Sequence, residues 1–504
     1  MPQSISRFTM PTIALSLMTV VSAVAGLNMA LPGMAVATGA TSTQLTWIVD
    51  SYTVIFAGLL LLAGAIGDKF GRQRALFAGL AIFAIASIFG FYQADASGII
   101  IARMVMGVGA AFIMPSTLSV ITTSFPPESR GKAVGAWVGI AGGGAVLGLF
   151  GVAILLKFFD WNSFFVFNLV MAVLALLGCL KVPNSRDENG HPLDWFGGAL
   201  SILTVGSLVF GVIEGPDKGW DAPETITGLL VGSIALVAFI ITELRTKYPL
   251  LDPRLFRKRG FSAGSISISL QFFGQFGFIF VGMQYLQFVA GFSPLDAALH
   301  LLWMPLIVLP GSRVAGALSK KIPQKYLGSV GLLIFGYALL HFSRLTTDFD
   351  YWYFTAGVLL FGFGMSLSAT PATVAITSAL PAEKQGVASA VNDTAREVGS
   401  ALGIAILGAA LTGTYKDSMK DSTVGLPSAL ADKLQNSVAF TQMKKPEQLP
   451  PNVDWGRLVH SGLDAFHSGV EAALTIGGWV AIGGAFLVLI IAPNRVAEAG
   501  KKVS

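Results

Sequence analysis

Charged residues are scarce in this sequence. Asp, Glu, Lys and Arg make up 12% of its 504 residues, whereas soluble proteins carry about 25%. Apolar residues make up 53% of the chain. A protein with so few charges has too little polar surface to be solvated by water alone. The composition therefore excludes an ordinary soluble protein and predicts one whose main solvent is lipid.

Cysteine is nearly absent as well. Cys179 is the single cysteine, which excludes an internal disulfide bond, and no spacing of Cys and His is typical of a metal site. We find no nucleophile, base and metal ligand at one membrane depth, which a membrane-embedded enzyme would need. The sequence therefore predicts no metal, no cofactor and no enzymatic activity.

Basic residues outnumber acidic ones, with 33 Lys and Arg against 28 Asp and Glu, for a net charge of +5. These charges lie mainly in short loops between apolar runs and do not form one basic surface. We therefore expect no nucleic acid partner.

About fourteen apolar runs follow one another, most of them long enough to cross a ~30 Å hydrocarbon core as a helix. They lie near residues 11–31, 45–66, 75–92, 97–119, 133–156, 162–182, 195–214, 224–244, 262–289, 295–318, 326–342, 352–375, 386–412 and 469–492. The first run is too long to be the core of a cleaved signal peptide. Lys and Arg are concentrated in alternate short loops, which predicts an even number of spans with both termini in the cytoplasm.

A short basic loop, GAIGDKFGRQR, joins the second and third runs. Gly64, Gly67 and Gly71 allow the backbones to approach closely, and basic side chains such as Arg72 keep the loop out of the bilayer. Asp68 is its one acid. The pattern resembles the signature G-x-x-x-D-(R/K)-x-G-R-(R/K/Q) of the major facilitator superfamily. The resemblance implies a gating loop, in which Asp68 docks at the start of a partner helix near residues 383–386 and stabilises one conformation.

An internal repeat supports this resemblance independently. The elements Gly107-x-Gly109, Pro115, 126–131 and 144–148 recur as Gly362-x-Gly364, Pro371, 381–386 and 399–403. Such parallel repeats predict two six-helix bundles around a central site, here separated by an extra helix pair. We therefore expect an N-terminal bundle at 1–183, an inserted pair with its cytoplasmic loop at 184–260, and a C-terminal bundle at 261–504 with a long outer loop at about 413–468.

Two further segments are similar to the same family. IIARMVMGVGAA, residues 100–111, resembles its fourth-helix motif (I/L)-x-x-R-x-x-x-G-x-G-A-A, and NMALP, residues 28–32, resembles the end of its first helix. With fourteen helices, the resemblance is to the drug:proton antiporter branch. It implies an all-α membrane protein of the major facilitator fold that exports amphiphilic small molecules by alternating access, in exchange for protons.

Ionisable residues at bilayer depth are costly and are functional candidates. Asp50 lies near the outer end of the second run, and relatives of this segment use that acid in proton coupling, although it could also be a helix cap. Asp393 and Glu397 share one face of the thirteenth run with Arg396. We expect one of these acids to pair with Arg396 and the other to exchange protons; a purely structural buried network is the alternative. Arg103 is a candidate partner for an acid in one conformation, or a statically paired cation.

The predicted substrate cavity combines amide, aromatic and cationic side chains. Gln271, Gln275 and Phe278 share one face of the ninth run, and Asn392 and Arg396 extend the polar stripe of the thirteenth. Aromatic faces can hold organic cations, and amides can turn to suit several ligands. Packing of phenylalanine against lipid is the alternative.

The sequence departs from the family at two places. Ala23 stands where many fourteen-helix members carry an acid, and Leu149 stands where the fifth-helix motif G-x-x-x-G-P-x-x-G-G has proline. Gly139, Gly144 and Gly148 of that motif persist and predict close helix packing. These differences leave the coupling scheme and the charge of the substrate open.

Taken together, these features predict a proton-coupled exporter of hydrophobic and amphiphilic compounds, acting as a monomer in a bacterial plasma membrane. One alternative is an exporter of a single endogenous amphiphile, such as a lipid or secondary metabolite. Another is a membrane sensor that has lost transport.

Overall fold

The computed structural model describes residues 8–124, 140, 148–186, 192–319, 321–378, 385–442 and 453–494, and every regular element in them is a helix. The first eight helices are α1 Thr9–Ala25, α2 Leu27–Thr38, α3 Ser42–Phe70, α4 Arg72–Phe91, α5 Ala96–Ser124, α6 Ser163–Cys179, α7 Trp195–Lys218 and α8 Pro223–Arg245. The next eight are α9 Arg259–Gln284, α10 Pro294–His300, α11 Trp303–Leu318, α12 Gln324–Phe342, α13 Tyr351–Ser378, α14 Gln385–Ser422, α15 Ser428–Asn436 and α16 Trp455–Ile491. A π-helical turn, Tyr285–Val289, continues α9.

Eleven helical spans in this part of the chain are long and apolar enough to cross a membrane, and α1 with α2 forms a twelfth that is bent by 46°. α6 is apolar but shorter, with 17 residues. The predicted span at 133–156 falls largely outside the described residues. The protein is therefore a multi-pass, all-α membrane protein, and the count of fourteen spans stays a prediction.

In the region 413–468, which the sequence predicts to be a long outer loop, the flanking helices extend further than the apolar runs indicate. α14 continues to Ser422, and α16 already begins at Trp455. The start of α16 is capped, because the Asp454 carboxylate accepts a hydrogen bond from the backbone N–H of Arg457 at 3.2 Å. Hydropathy marks where a helix leaves the apolar layer and not where the helix ends, so it does not locate these polar extensions.

The chain divides into two compact units. The first comprises Met1–Ala40, Gln44–Leu208 and Leu230–Leu250, and the second comprises Thr41–Thr43, Val209–Leu229 and Leu251–Ser504. The division into two bundles and a separate inserted pair remains a prediction.

In the first unit, α4 and α5 touch through glycine. A Cβ atom on Gly79 would lie 2.7 Å from the carbonyl oxygen of Gly109, and one on Gly109 would lie 2.7 Å from that of Gly79. Gly107, two residues earlier and on the other side of α5, lies against the backbone of Tyr52 in α3, where a Cβ atom would be 2.6 Å from the carbonyl oxygen. These helices can approach this closely only where no side chain intervenes.

The second unit repeats this arrangement with α12 and α13. A Cβ atom on Gly331 would lie 3.0 Å from the carbonyl oxygen of Gly364, and one on Gly364 would lie 2.9 Å from that of Gly331. Gly362 packs against Met304 and Ile307 of α11. The glycines of the sequence repeat therefore make equivalent helix contacts in each unit. The repeat segments at 126–131 and 381–384 lie outside the described residues.

Candidate functional site

Asp50 is fully buried in α3. Among the described residues, neither of its carboxyl oxygens has a hydrogen-bond partner. Asp50 lies about two turns after the first residue of α3, Ser42, so it does not cap the helix. Thr53, almost one turn further along, also has a buried hydroxyl without a partner. A fixed negative charge in such surroundings is costly, so the site suits a carboxyl group that gains and loses a proton.

Arg103 is also fully buried, in α5, and it is bonded to backbone. Its guanidinium donates to the carbonyl oxygens of Ile48 at 3.1 Å and Val49 at 3.5 Å in α3, and of Ala23 at 3.2 Å in α1. The guanidinium carbon lies 4.3 Å from the centre of the Tyr52 ring. In this conformation Arg103 therefore ties three helices together, and it forms no ion pair with any acid in the described part of the chain.

The predicted gating loop, between α3 and α4, makes a sharp turn at a single residue. Gly71 adopts a φ of +119°, which residues with a side chain rarely adopt. Asp68 accepts a hydrogen bond from Nε of Arg72 at 2.7 Å, so the acid and the arginine of the signature pair with each other. Gly64 and Gly67 lie against Pro115 and Ser116 of α5, respectively. The predicted partner of Asp68 begins with residues 383 and 384, which lie outside the described residues, so that docking stays a prediction.

On α14, the three ionisable side chains are not equivalent. Nη1 of Arg396 lies 3.8 Å from Oδ1 of Asp393, and no ion pair joins Glu397 to any residue that the structure describes. Arg396 also lies over the Phe272 ring of α9, with 4.7 Å between the guanidinium carbon and the ring centre. Its buried Nε has no hydrogen-bond partner among the described residues. Asn392 accepts a weak hydrogen bond from the hydroxyl of Thr373 at 3.4 Å.

The amide side chains of α9 have unused hydrogen-bonding capacity. Gln271 is fully buried, and its Oε1 accepts from the hydroxyl of Ser368 in α13 at 3.0 Å. Its Nε2 has no partner in the described residues, and neither has the buried Oε1 of the half-buried Gln275. Buried polar atoms normally find partners, so these two amides are suited to hold water or a ligand.

Phe278 has a different environment from the two glutamines. Its ring is buried and stacks on Phe342 of α12, with centroids 4.4 Å apart, and on Phe361 of α13, with centroids 4.8 Å apart. In this conformation Phe278 belongs to the aromatic core of the second unit and does not line an open cavity. Phe272 and Phe276, whose stacked rings are 5.8 Å apart, are the half-buried aromatic side chains of this helix.

Gly148 lies where a helical segment meets α1. A Cβ atom there would lie 2.7 Å from the carbonyl oxygen of Ser22, and its repeat equivalent, Gly403 of α14, has the same relation to Phe273 of α9. Gly139 and Gly144 lie outside the described residues.

Sequence reasoning missed Tyr52 and Ser368. Tyr52 lies under Arg103, and its hydroxyl donates to the carbonyl oxygen of Val20 at 3.2 Å. No motif identifies these two residues. The only signal for Tyr52 was an aromatic residue two positions after Asp50.

Comparison with known proteins gives a consistent family. Residues 13–404 match the sequence model of the Major Facilitator Superfamily. The methyl viologen resistance protein SmvA of Salmonella typhimurium is 33% identical over 404 residues, which cover 78% of this chain and 80% of that protein. The multidrug efflux pump LfrA of Mycolicibacterium smegmatis is 31% identical over 471 residues, which cover 92% of this chain and 91% of that pump.

Solved structures agree on the fold. The crystal structure of a bacterial homologue of the human lysosomal transporter Spinster, inward-facing and unoccupied, covers 97% of this chain and 98% of its own. Its TM-score is 0.64 at 15% sequence identity, so this likeness concerns the fold alone.

Proposed function

The chain belongs to the major facilitator superfamily, and from this premise we propose that it is a proton-coupled exporter of hydrophobic and amphiphilic compounds. SmvA is named for resistance to methyl viologen and LfrA for multidrug efflux, and similarity to both covers most of the chain. We infer that it works by alternating access as a monomer in a bacterial plasma membrane, with both termini in the cytoplasm. A transporter of this kind needs no catalytic residue, metal or cofactor.

Asp50 is the observation that carries the proton-coupling proposal. Its carboxyl group is fully buried and has no hydrogen-bond partner among the described residues, so no structural bond accounts for an acid at this place. An acid that must change between charged and neutral forms cannot be held by a permanent cation. Arg103, which the sequence makes a candidate partner for such an acid, instead donates its hydrogen bonds to backbone carbonyl groups.

The acids of α14 are the second part of the proposal. Arg396 lies beside Asp393, and we infer that this pair is structural. Glu397 then remains as the carboxyl group that exchanges protons, one turn further along the same helix face.

We propose that substrate binds beside these acids, on α9 and α14. The unpaired amide atoms of Gln271 and Gln275 provide hydrogen bonds, and Asn392 and Arg396 add polar contacts. Phe272 and Phe276 provide the apolar surface. Ala23 stands where the family motif has an acid, so the protein has one negative charge fewer with which to bind a cationic substrate. This favours a broad range of amphiphiles as substrates, and not dications alone.

The test is ethidium efflux from proteoliposomes with an imposed pH gradient, comparing wild type with Asp50→Asn. The matched control is Thr53→Val, which removes a buried, unpartnered hydroxyl from the same helix without changing a titratable group. We expect acidification of the side that receives ethidium to accelerate efflux for wild type and Thr53→Val, and to have no effect on Asp50→Asn. Wild-type efflux that ignores the gradient would rule out proton coupling.

The rival proposal, export of one endogenous amphiphile, is distinguished by competition. Methyl viologen and unrelated dyes should each slow ethidium efflux if the exporter is broad. If none of these compounds competes and one lipid or metabolite alone does, the protein is a dedicated exporter.

A further inference from the structure

The last residue of α6 and the segment that follows it are bonded to the gating loop of the same unit. We call residues 179–185 the clasp. They leave the end of α6 and run past the turn at which α3 becomes α4. None of these residues belongs to the signature of the loop.

The first contact joins the clasp to the backbone of α4. The N–H of Arg72, the first residue of that helix, donates to the carbonyl oxygen of Ser185 at 2.9 Å. The first N–H groups of a helix have no partner within the helix, so the clasp satisfies one of them. Nη1 of Arg72 also donates to Oγ of Ser185 at 3.4 Å, while Nε donates to Asp68. Asp68 and Ser185 therefore hold the guanidinium from two sides.

The second contact is between Gly71 and Asn184. Gly71 has the positive φ that makes the sharp turn, and a Cβ atom on it would lie 2.7 Å from Oδ1 and 2.8 Å from Nδ2 of Asn184. The amide of Asn184, an exposed residue, therefore fills the space that the missing side chain of Gly71 leaves and covers that side of the turn.

The third contact is reciprocal. Nε2 of Gln73 donates to the carbonyl oxygen of Cys179 at 3.2 Å, and the Cys179 thiol donates to the carbonyl oxygen of Gln73 at 3.7 Å. Cys179 is fully buried. The end of α6 is itself fixed, because Gly178 packs closely against Thr12 of α1. If the gating loop changes conformation, it must therefore move relative to the clasp.

We propose that Asn184 and Ser185 are positioning residues for Arg72 and Asp68, and that the clasp holds the gating loop in the conformation of this structure. The loop cannot change conformation without breaking its contacts with Asn184, Ser185 and Cys179. The role of these contacts in transport rests on the proposed function, but the existence of a closed clasp does not.

The single cysteine of the chain reports on the clasp without any engineering. In resting wild-type proteoliposomes, with no substrate and no gradient, N-ethylmaleimide should modify Cys179 at least about a hundredfold more slowly than in detergent-denatured protein, because a buried thiol reacts only through local opening. If Cys179 in the folded protein reacts as fast as in the denatured protein, the clasp is not closed and the proposal is overturned.

Asn184→Ala tests the positioning residue, and Asn162→Ala, the same substitution at the other end of α6, is its control. We expect labelling of Cys179 to be about threefold faster in Asn184→Ala, because removing the exposed amide leaves one side of Gly71 uncovered. Asn184→Asp, which keeps the size of the side chain, and Asn162→Ala should both label like wild type. Asn184→Ala that labels like wild type overturns the proposal.

Efflux of ethidium distinguishes a positioning role of Asn184 from a general loosening of the fold. Asn184→Ala should lower the maximal rate and leave the KM for ethidium unchanged, because the clasp touches no residue of the proposed substrate site. A raised KM with an unchanged maximal rate contradicts the proposal. If wild type transports nothing, the labelling results still decide the clasp, so failure of the proposed function is recognised separately.

Discussion

Arg396 and Asp393 lie one turn apart on α14, and Nη1 of the arginine is 3.8 Å from Oδ1 of the acid. The next acid on that face, Glu397, has no such partner among the described residues. One cation thus stands beside two acids and contacts one of them. This asymmetry distinguishes two carboxyl groups, one three residues before Arg396 and one directly after it, between which the sequence alone did not decide.

Glu397→Gln and Asp393→Asn should therefore differ. We expect Glu397→Gln to abolish gradient-driven ethidium efflux with little change in the midpoint of thermal unfolding. Asp393→Asn should instead lower the free energy of unfolding, by about 1–2 kcal/mol, because it leaves the partly exposed Arg396 without its ion-pair partner. Thr394→Val, which changes a buried, unpartnered hydroxyl of the same helix, is the control. Gradient-driven efflux that survives in Glu397→Gln would reverse the assigned roles.

Arg103→Lys should be destabilising although it keeps the charge. A lysine ammonium cannot match the fork of the guanidinium that donates to carbonyl groups of both α1 and α3, and it loses the flat contact with the Tyr52 ring. We expect a loss of about 2–3 kcal/mol, measured as a lower midpoint of thermal unfolding in detergent. Arg313→Lys, the same substitution at an exposed position of α11, should stay within about 0.5 kcal/mol of wild type. Equal midpoints for the two variants would show that the carbonyl contacts are dispensable.

Gly403→Ala should destabilise the second unit. The new Cβ atom would lie 2.8 Å from Cα of Phe273, a backbone atom that cannot move aside, so α9 and α14 must separate. We expect a cost of about 1–3 kcal/mol in thermal unfolding. Gly483→Ala in α16 is the matched control, because nothing lies within 4 Å of its Cβ position and alanine favours helix. Equal midpoints for both variants would refute tight packing at Gly403.

The segment between α14 and α16 should resist proteolysis more than a loop would. The Tyr415 hydroxyl donates to the carbonyl oxygen of Leu434 at 2.7 Å, and Leu434 and Phe440 are buried. Tyr415→Phe removes this hydrogen bond, so trypsin cleavage after Lys433 should become about fivefold faster, as followed by mass spectrometry.

Tyr337→Phe, the same substitution at an exposed tyrosine of α12, is the control and should not change the rate of cleavage after Lys433. If Lys433 is cleaved equally fast in wild type and Tyr415→Phe, the hydroxyl does not hold this segment.

The sequence by itself determined the spans, the sharp turn at Gly71 and the repeat. Each depends on a local property: the length of an apolar run, the lack of a side chain, or the spacing of glycines that permit close helix contact. The repeat alone identifies Gly109 and Gly364 as equivalent positions, and in the structure they have equivalent neighbours, Gly79 and Gly331.

Only the tertiary structure decided what the buried polar groups touch. A charge in the sequence marks a costly residue but not its partner, because carbonyl groups such as that of Ala23 become available to Arg103 only through the packing of α1 against α5. For the same reason Phe278 belongs to an aromatic core, and Asn184, which no motif marks, lies against Gly71. Transfer to lipid acts on each residue separately, whereas hydrogen bonds and close packing require two partners that the fold brings together.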